Sequence, residues 1–277
     1  MSTVAILIAC HNRRENTLAC LKSVFDSTLP VNTSLDIFLV DDGSQDGSGE
    51  SVRRFFPSVH VIDGDGNLYW NGGMRVAFAA ALKRGFDYYL WLNDDTFLYP
   101  ETISGLLNSA KFNESAAGRA VAVVGTTQLT HGSPPTYGGL VSKNRWKKLS
   151  LSIVDPLSNS LSCDTVNGNC FLIPKAIAQS VGNLDSAFVH SMGDIDYGFR
   201  IRQAGFPIVV MAGYAGSCAH NSIDNTYLDS RLAWQERWKK IVGPKGLPPK
   251  KWFILTRRHA GLLWPIFWIW PYLKVIF

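Results

Sequence analysis

Cysteine is sparse and unpaired in this 277-residue chain: Cys10, Cys20, Cys163, Cys170 and Cys218 make an odd number, with no CxxC pair. That argues against a disulfide framework and a cysteine zinc site, so a reducing compartment, the cytoplasm, is the default expectation. There is no GxxxxGK[ST], which speaks against a P-loop phosphotransferase. GxGxxG is missing too, so a dinucleotide dehydrogenase is poorly supported. Internal repeats and low-complexity tracts are absent. The opening MSTVAILIACHNRRE has a short apolar run with no basic region before it, and reads as a core strand rather than a signal peptide.

Acid is scarce in one place. From Arg231 onward, ten Lys or Arg stand against the single acid Glu236, although the whole chain carries only +5. Six of the nine tryptophans fall in the same segment, several of them in LLWPIFWIWPYLKVIF. That run is shorter than the roughly 20 residues of a membrane span. Its mixture of Trp, Phe and Pro with cations points away from nucleic acid and towards the membrane–water interface. A helix pair packed on the domain or on a second subunit is the other reading.

The first hundred residues alternate buried strands with amphipathic helices. TVAILIA, LDIFLV, VHVID and DYYLWL read as strands, and NTLACLKSVFDS, SGESVRRFF and MRVAFAAALKRGF as helices. This order predicts an α/β fold with a mostly parallel central sheet flanked by helices. In such sheets ligands bind beyond the carboxyl ends of the strands. There the chain places His11, Asn12 and Arg13, then Asp41 and Asp42, then Asn67 and Gly72, then Asp94 and Asp95. Further on, VAVVG reads as a strand, DTVNGNCFLIPKAIAQSV as a strand feeding a helix, DIDYGFRIRQAG as a helix and PIVVMAG as a strand.

Adjacent carboxylates at the end of LWLNDDTF suit a hard divalent cation that also touches phosphate, although a helix-capping turn has the same letters. VDDGSQDGS has the chemistry of a turn, and after a buried strand its carboxylates can also meet a base or ribose.

Together, ILIACHNRRE, FLVDDGSQDGS, GNLYWNGGMR, LNDDTFLYPE, GNCFLIP, MGDIDYGFRIRQAGF and CAHNS resemble a family 2 inverting glycosyltransferase of the GT-A fold, over roughly residues 3–222. The NLYWNGG and LNDDT stretches are similar to those of bacterial rhamnosyl- and galactofuranosyl-type transferases. The resemblance implies a catalytic domain at 1–230, with a donor-binding half at about 1–100 and an acceptor half at about 101–230. Residues 231–277 follow as a helical, basic, Trp-rich, membrane-associating extension. It implies His11 and Arg13 by the nucleoside diphosphate and Asp42 on the base. Asn67, Gly72 and Gly73 would shape the donor pocket, with Arg75 near a phosphate or an anionic donor group. Asp94 would lie near the ribose or sugar, Asp95 and His220 on Mg²⁺ or Mn²⁺, and Asp194 would be the general base. His190 is an acceptor-side candidate.

The expected partners are a UDP- or dTDP-sugar and a lipid-linked glycan acceptor, with no nucleic acid and with oligomerisation left open. The expected location is the inner face of the cell membrane. The chain departs from the family pattern where Asn93 replaces the first acid of DxD, Gly193 replaces the glutamate before the base, and Arg75 stands where asparagine is common. Two other readings stay open: a GT-A-like nucleotidyltransferase, though ACHNRRE lacks the glycine-rich basic loop expected of one, and a non-catalytic glycan- or nucleotide-binding protein.

Overall fold

The computed structural model describes residues 2–144, 146, 148–158 and 161–276. Its first half is β1 (Ser2–Cys10), α1 (Arg14–Phe25), β2 (Thr33–Asp41), α2 (Ser48–Phe55), β3 (His60–Asp63), α3 (Tyr69–Arg84) and β4 (Tyr88–Leu92). Then come β5 (Phe97–Leu98), α4 (Thr102–Ala117), β6 (Ala122–Gln128), β7 (Pro135–Tyr137), β8 (Gly139–Ser142), β9 (Leu151–Ile153) and β10 (Thr165–Val166). Next are β11 (Cys170–Pro174), α5 (Lys175–Val181), α6 (Gly193–Gln203) and β12 (Ile208–Ser217). Helices α7 (Trp234–Val242), α8 (Pro249–His259) and α9 (Trp264–Ile276) follow, with a 3₁₀ turn at Gly261–Leu263.

The main sheet runs β3-β2-β1-β4-β11-β6-β12-β5, with β7 added on β6, and β10-β8-β9 form a small second sheet. β1 pairs in parallel with both β2 and β4, and β2 with β3. β11 runs antiparallel between β4 and β6. The carboxyl ends of β1, β2, β3 and β4 therefore meet the start of β11 along one edge.

The apolar runs lack polar alternation because both faces are covered. In β1, Ala5, Leu7 and Ala9 enter one core with Met74, Phe78 and Tyr197, while Val4, Ile6 and Ile8 enter the other with Leu21, Leu106 and Leu107. Trp91 of β4 is fully buried among Phe78, Phe171 and Tyr197.

Two local expectations change. YWNGG looks like loop but forms the first turns of α3, so Gly72 and Gly73 are helical. A Cβ on Gly73 would lie 2.8 Å from the Ala9 Cβ, so the glycine brings α3 down onto β1. That close approach offsets the roughly 0.5–1 kcal/mol a mid-helix glycine costs. DTVNGNCFLIP is two strands in different sheets, β10 and β11, and the turn Asn167–Asn169 between them reaches the functional edge.

The tail packs firmly on the rest. Leu255 of α8 shares a small core with Phe188 and Met192, and Ile241 shares another with Tyr272 and Val275. Polar contacts join the same surfaces. Asp196 of α6 is fully buried and takes Arg200 at 2.8 Å, His259 at 2.9 Å and Arg258 at 3.1 Å. Arg258 also reaches Asp185 at 2.7 Å. Leu262, Ile266 and Trp270 remain outside, Leu262 being 91% exposed.

Candidate active site

β4 ends in Asn93-Asp94-Asp95 because five buried residues in the sheet centre carry the chain to that edge. A cleft of about 730 Å³ opens there. His11, Arg13, Asp42, Asp94, Asp95 and Asp194 all line it, as does His190. Asn67, Gly72, Gly73 and Arg75 lie off that lining. His220 sits at the exposed rim, its ring stacked on Tyr137 of the cleft wall with centroids 5.5 Å apart.

Asp42 is buried and organises the donor-side turn. Its carboxylate accepts the backbone N–H groups of Gly66 (2.9 Å), Leu68 (3.2 Å) and Tyr69 (2.8 Å). Tyr69 begins α3 with a left-handed φ of 54°, a conformation a bulky residue holds only when its surroundings impose it. Met192, just before α6, is left-handed as well at 74°. Backbone strain thus lies on both the donor-side turn and the segment leading to Asp194. His11 Nδ1–H donates to the Asp42 carbonyl at 2.6 Å and Nε2 accepts from Asn12 at 3.0 Å.

Arg13 bridges the two acids, donating to Asp95 at 2.6 Å and to Asp94 at 3.2 Å. The other Asp94 oxygen, Oδ2, is buried without a partner. Burial pushes the Asp94 pKa up to about 6; Arg13 opposes the shift and Asp95 adds to it. An uncommitted carboxylate oxygen in a cleft is an acceptor awaiting a hydroxyl.

Asn93 is accounted for by its neighbour. Its side-chain carbonyl accepts the Trp70 indole N–H at 2.7 Å, fixing an aromatic wall packed against Gly168. Asn93→Leu leaves that indole unpaired and is expected to cost about 1–3 kcal/mol in denaturant unfolding, whereas Asn93→Asp keeps an acceptor and costs less.

Gly193 has an equally local cause. A Cβ there would sit 1.7 Å from the Asn71 side-chain oxygen. Asn71 is buried on α3 and its amide donates to the carbonyls of Asp185 (3.1 Å) and Phe188 (2.7 Å), tying the loop before α6 to α3. No residue larger than glycine fits beside it.

Asp194 occupies the first turn of α6, where its carboxylate accepts the N–H groups of Gly168 at 3.0 Å and Ile195 at 2.9 Å. Burial raises its pKa against those hydrogen bonds. Asp196 plays no part in that shift. Burial disfavours its charge too, but the hydrogen bond from His259 and the Arg200 cation outweigh it and hold its pKa low.

Among the described residues no three His, Cys, Asp or Glu side chains gather closely enough to hold a metal alone. Asp95 on the cleft lining and the His220 ring at its rim still fit Mg²⁺ or Mn²⁺ chemistry, because such ions commonly use one or two protein ligands plus substrate phosphate. Sequence reasoning missed Trp70, Asn169, Tyr227, Lys245 and Leu247, all on the lining. The aromatic beside the glycines and the NGN turn were the available signals for the first two.

Comparison with known proteins decides the family: the sequence model described as "Glycosyl transferase family 2" matches residues 5–165. The chain belongs to glycosyl transferase family 2. Within that family it is 34% identical to the hyaluronan synthase of Streptococcus pyogenes over 118 residues, 40% of this chain and 27% of the synthase. The match thus spans about a quarter of that relative's length. Its structure is similar to S. aureus TarS 1-349 in complex with UDP (TM-score 0.56, 13% identity, covering 92% of this chain and 70% of that one). It is equally similar to a Pyrobaculum calidifontis mannosyltransferase in complex with GDP-Man and Mn²⁺ (TM-score 0.56, 13% identity, 99% and 72%). The family 2 chain therefore has the GT-A fold.

Proposed function

We propose that this chain is an inverting, metal-dependent glycosyltransferase. It moves a sugar from a UDP- or dTDP-linked donor to a lipid-linked glycan acceptor in cell-surface polysaccharide synthesis, in the manner of rhamnosyl- or galactofuranosyl-type enzymes. The observation that carries the reading is one cleft holding two kinds of acid. Asp94 and Asp95 sit at a strand end with a guanidinium, and Asp194 stands at a helix start with a raised pKa. The bound UDP of TarS and the GDP-Man and Mn²⁺ of the mannosyltransferase support a nucleotide-sugar donor and a divalent ion.

In this reading Asp42 meets the base, and the Asp94 oxygen accepts a hydroxyl of the ribose or sugar. Asn67, Gly72 and Gly73 act from behind that surface by setting the turn and the approach of α3. Arg75, off the cleft lining, acts at the edge of the donor site. Asp194 removes the proton of the acceptor hydroxyl, which attacks the anomeric carbon opposite the leaving diphosphate. Arg13 holds that diphosphate and stabilises the charge building on it, with His11 beside it bracing the loop through its bonds to Asp42 and Asn12. Asp95 and His220 would hold the Mg²⁺ or Mn²⁺, whose chemistry when bound is to neutralise the same charge.

Neither Asn93 nor Gly193 argues for a non-catalytic protein, since each has a packing reason. The test is release of nucleoside diphosphate from a panel of nucleotide sugars with Mn²⁺ and a polyprenol-linked acceptor, with the product anomer read by NMR. Retention of configuration would overturn the inverting displacement. A second expectation concerns pH. Asp94 ionises near 6, so donor affinity measured by titration weakens as pH falls below about 6. For stability the sign is reversed: a raised pKa favours the fold while Asp94 is protonated, and that gain is lost as pH rises through about 6.

Among the described residues no helix is long and apolar enough to cross a membrane. The exposed Leu262, Ile266 and Trp270 beside the basic tail support peripheral contact with the inner membrane face through 231–277. Failure of the full chain to bind anionic vesicles at moderate salt would end that reading.

A further inference from the structure

One wall of the cleft comes from the tail, through Lys245, Gly246 and Leu247, with Tyr227 just before it. Lys245 has no ion-pair or hydrogen-bond partner among the described residues, and neither has Lys251. Lys251 is also badly placed by ordinary helix electrostatics. The last turn of α8 carries Arg257, Arg258 and His259, as the dipole favours, but its first turn holds Lys250 and Lys251 with no acid and no side-chain cap. Cations there stand against the positive end of the helix with nothing to offset them.

The facing loop supplies a third group. Ser191 Oγ donates to the Gly246 carbonyl at 3.4 Å, joining the loop before α6 to the tail at this wall. His190, next in line, has its Nδ1 buried and without a partner. Burial first, then the charges of Lys245, Lys251 and Arg13, lower its pKa, so the ring is neutral at pH 7 while cations converge on it. The acids nearby are engaged elsewhere: Asp185 and Asp196 pair with Arg258, Asp94 and Asp95 with Arg13, and Asp194 accepts the N–H groups of Gly168 and Ile195.

We propose that Lys245, Lys251 and His190, at the head of α8, form an anion subsite on the acceptor side of the cleft that takes the phosphate of a phosphorylated lipid acceptor. The proposal rests on the reading of the chain as a transferase acting on a lipid-linked acceptor. Phosphate fits because two ammoniums, a helix N-terminus and an imidazole N–H offer several charge-assisted donors to one multivalent anion. A lipid fits because Phe253, on the helix that bears Lys251, and Leu262 just beyond it expose apolar surface, at 40% and 91%.

The experiment uses the full chain and calorimetric titration with farnesyl phosphate, and with farnesol as its uncharged counterpart. The wild type is expected to bind the phosphate at least about tenfold more tightly than the alcohol, the worth of one charge-assisted contact. The double variant Lys245→Gln, Lys251→Gln loses that preference, and Lys250→Gln keeps it. Both lysines lack partners, so melting temperatures stay unchanged; if the double variant melts early, Lys245→Gln alone carries the comparison.

Saturating UDP with Mn²⁺ should leave farnesyl phosphate bound. Displacement by UDP would assign these cations to the donor diphosphate and overturn the subsite, as would equal affinity for farnesol or equal loss in Lys250→Gln. Phosphatidylglycerol vesicles separate a headgroup patch from a single phosphate site. The double variant should keep most of its vesicle binding, and losing that while still binding farnesyl phosphate would overturn the proposal. UDP binding and nucleoside diphosphate release that persist in the double variant leave the transferase reading standing whichever way the subsite falls. Their absence in the wild type would be the failure of that reading instead.

Discussion

Asp194→Asn is expected to lower turnover by about 100- to 10,000-fold, the usual contribution of a positioned general base, while donor affinity stays close to that of the wild type. The substitution keeps size and one acceptor for the Gly168 or Ile195 N–H, so the fold survives. A pH profile adds a readout that a structural role would not move. Burial raises the Asp194 pKa, so at saturating donor, where the Asp94 effect on donor affinity is removed, the acid limb of turnover should lie above the ordinary carboxylate range, and it should vanish in the variant. Undiminished turnover in Asp194→Asn would remove this residue from the reaction. Asp194→Glu separates position from charge, because a longer side chain cannot keep both backbone contacts and the same reach.

The second large effect lies away from the cleft. Asp196→Ala removes the shared anion of Arg200, Arg258 and His259 from a fully buried position and is expected to cost about 3–5 kcal/mol in denaturant unfolding. It should also loosen the tail, read as new proteolytic cuts within 231–277. Asp196 is held below its ordinary pKa despite burial, by His259 and Arg200. Its contribution is therefore present above about pH 4 and is lost as pH falls through the lowered value, a slope the Ala variant should lack. A variant as stable as the wild type at pH 7 would mean that the cluster is not holding the tail.

What could be read in advance follows from the range of each interaction. The strands were legible because β1 and β4 are covered on both faces and so spell unbroken apolar runs, and their ends located His11, Arg13, Asp94 and Asp95. The start of α3 was not legible: Gly72 and Gly73 have the local chemistry of a loop, and only the proximity of Ala9 explains glycine inside a helix. Gly193 and Asn93 looked like losses until Asn71 and Trp70 were placed beside them. The Asp196 cluster joins residues more than sixty positions apart, and no pattern in either segment announces the pairing. Lys245 and Tyr227 were hidden for the same reason, because a tail reads as surface until it is seen to fold back over the cleft.

The Asp42 carboxylate bears on how nucleotide preference could change. A carboxylate offers about four acceptor positions, and three N–H groups of the turn at Gly66–Tyr69 already occupy Asp42. One position, on the oxygen that holds only Tyr69, is left for a base. Exchanging this side chain to favour another nucleotide would release the turn at the same moment. On the proposed base contact, donor choice is thus welded to the architecture at position 42, and any exchange there has to supply a new partner for the Gly66–Tyr69 turn.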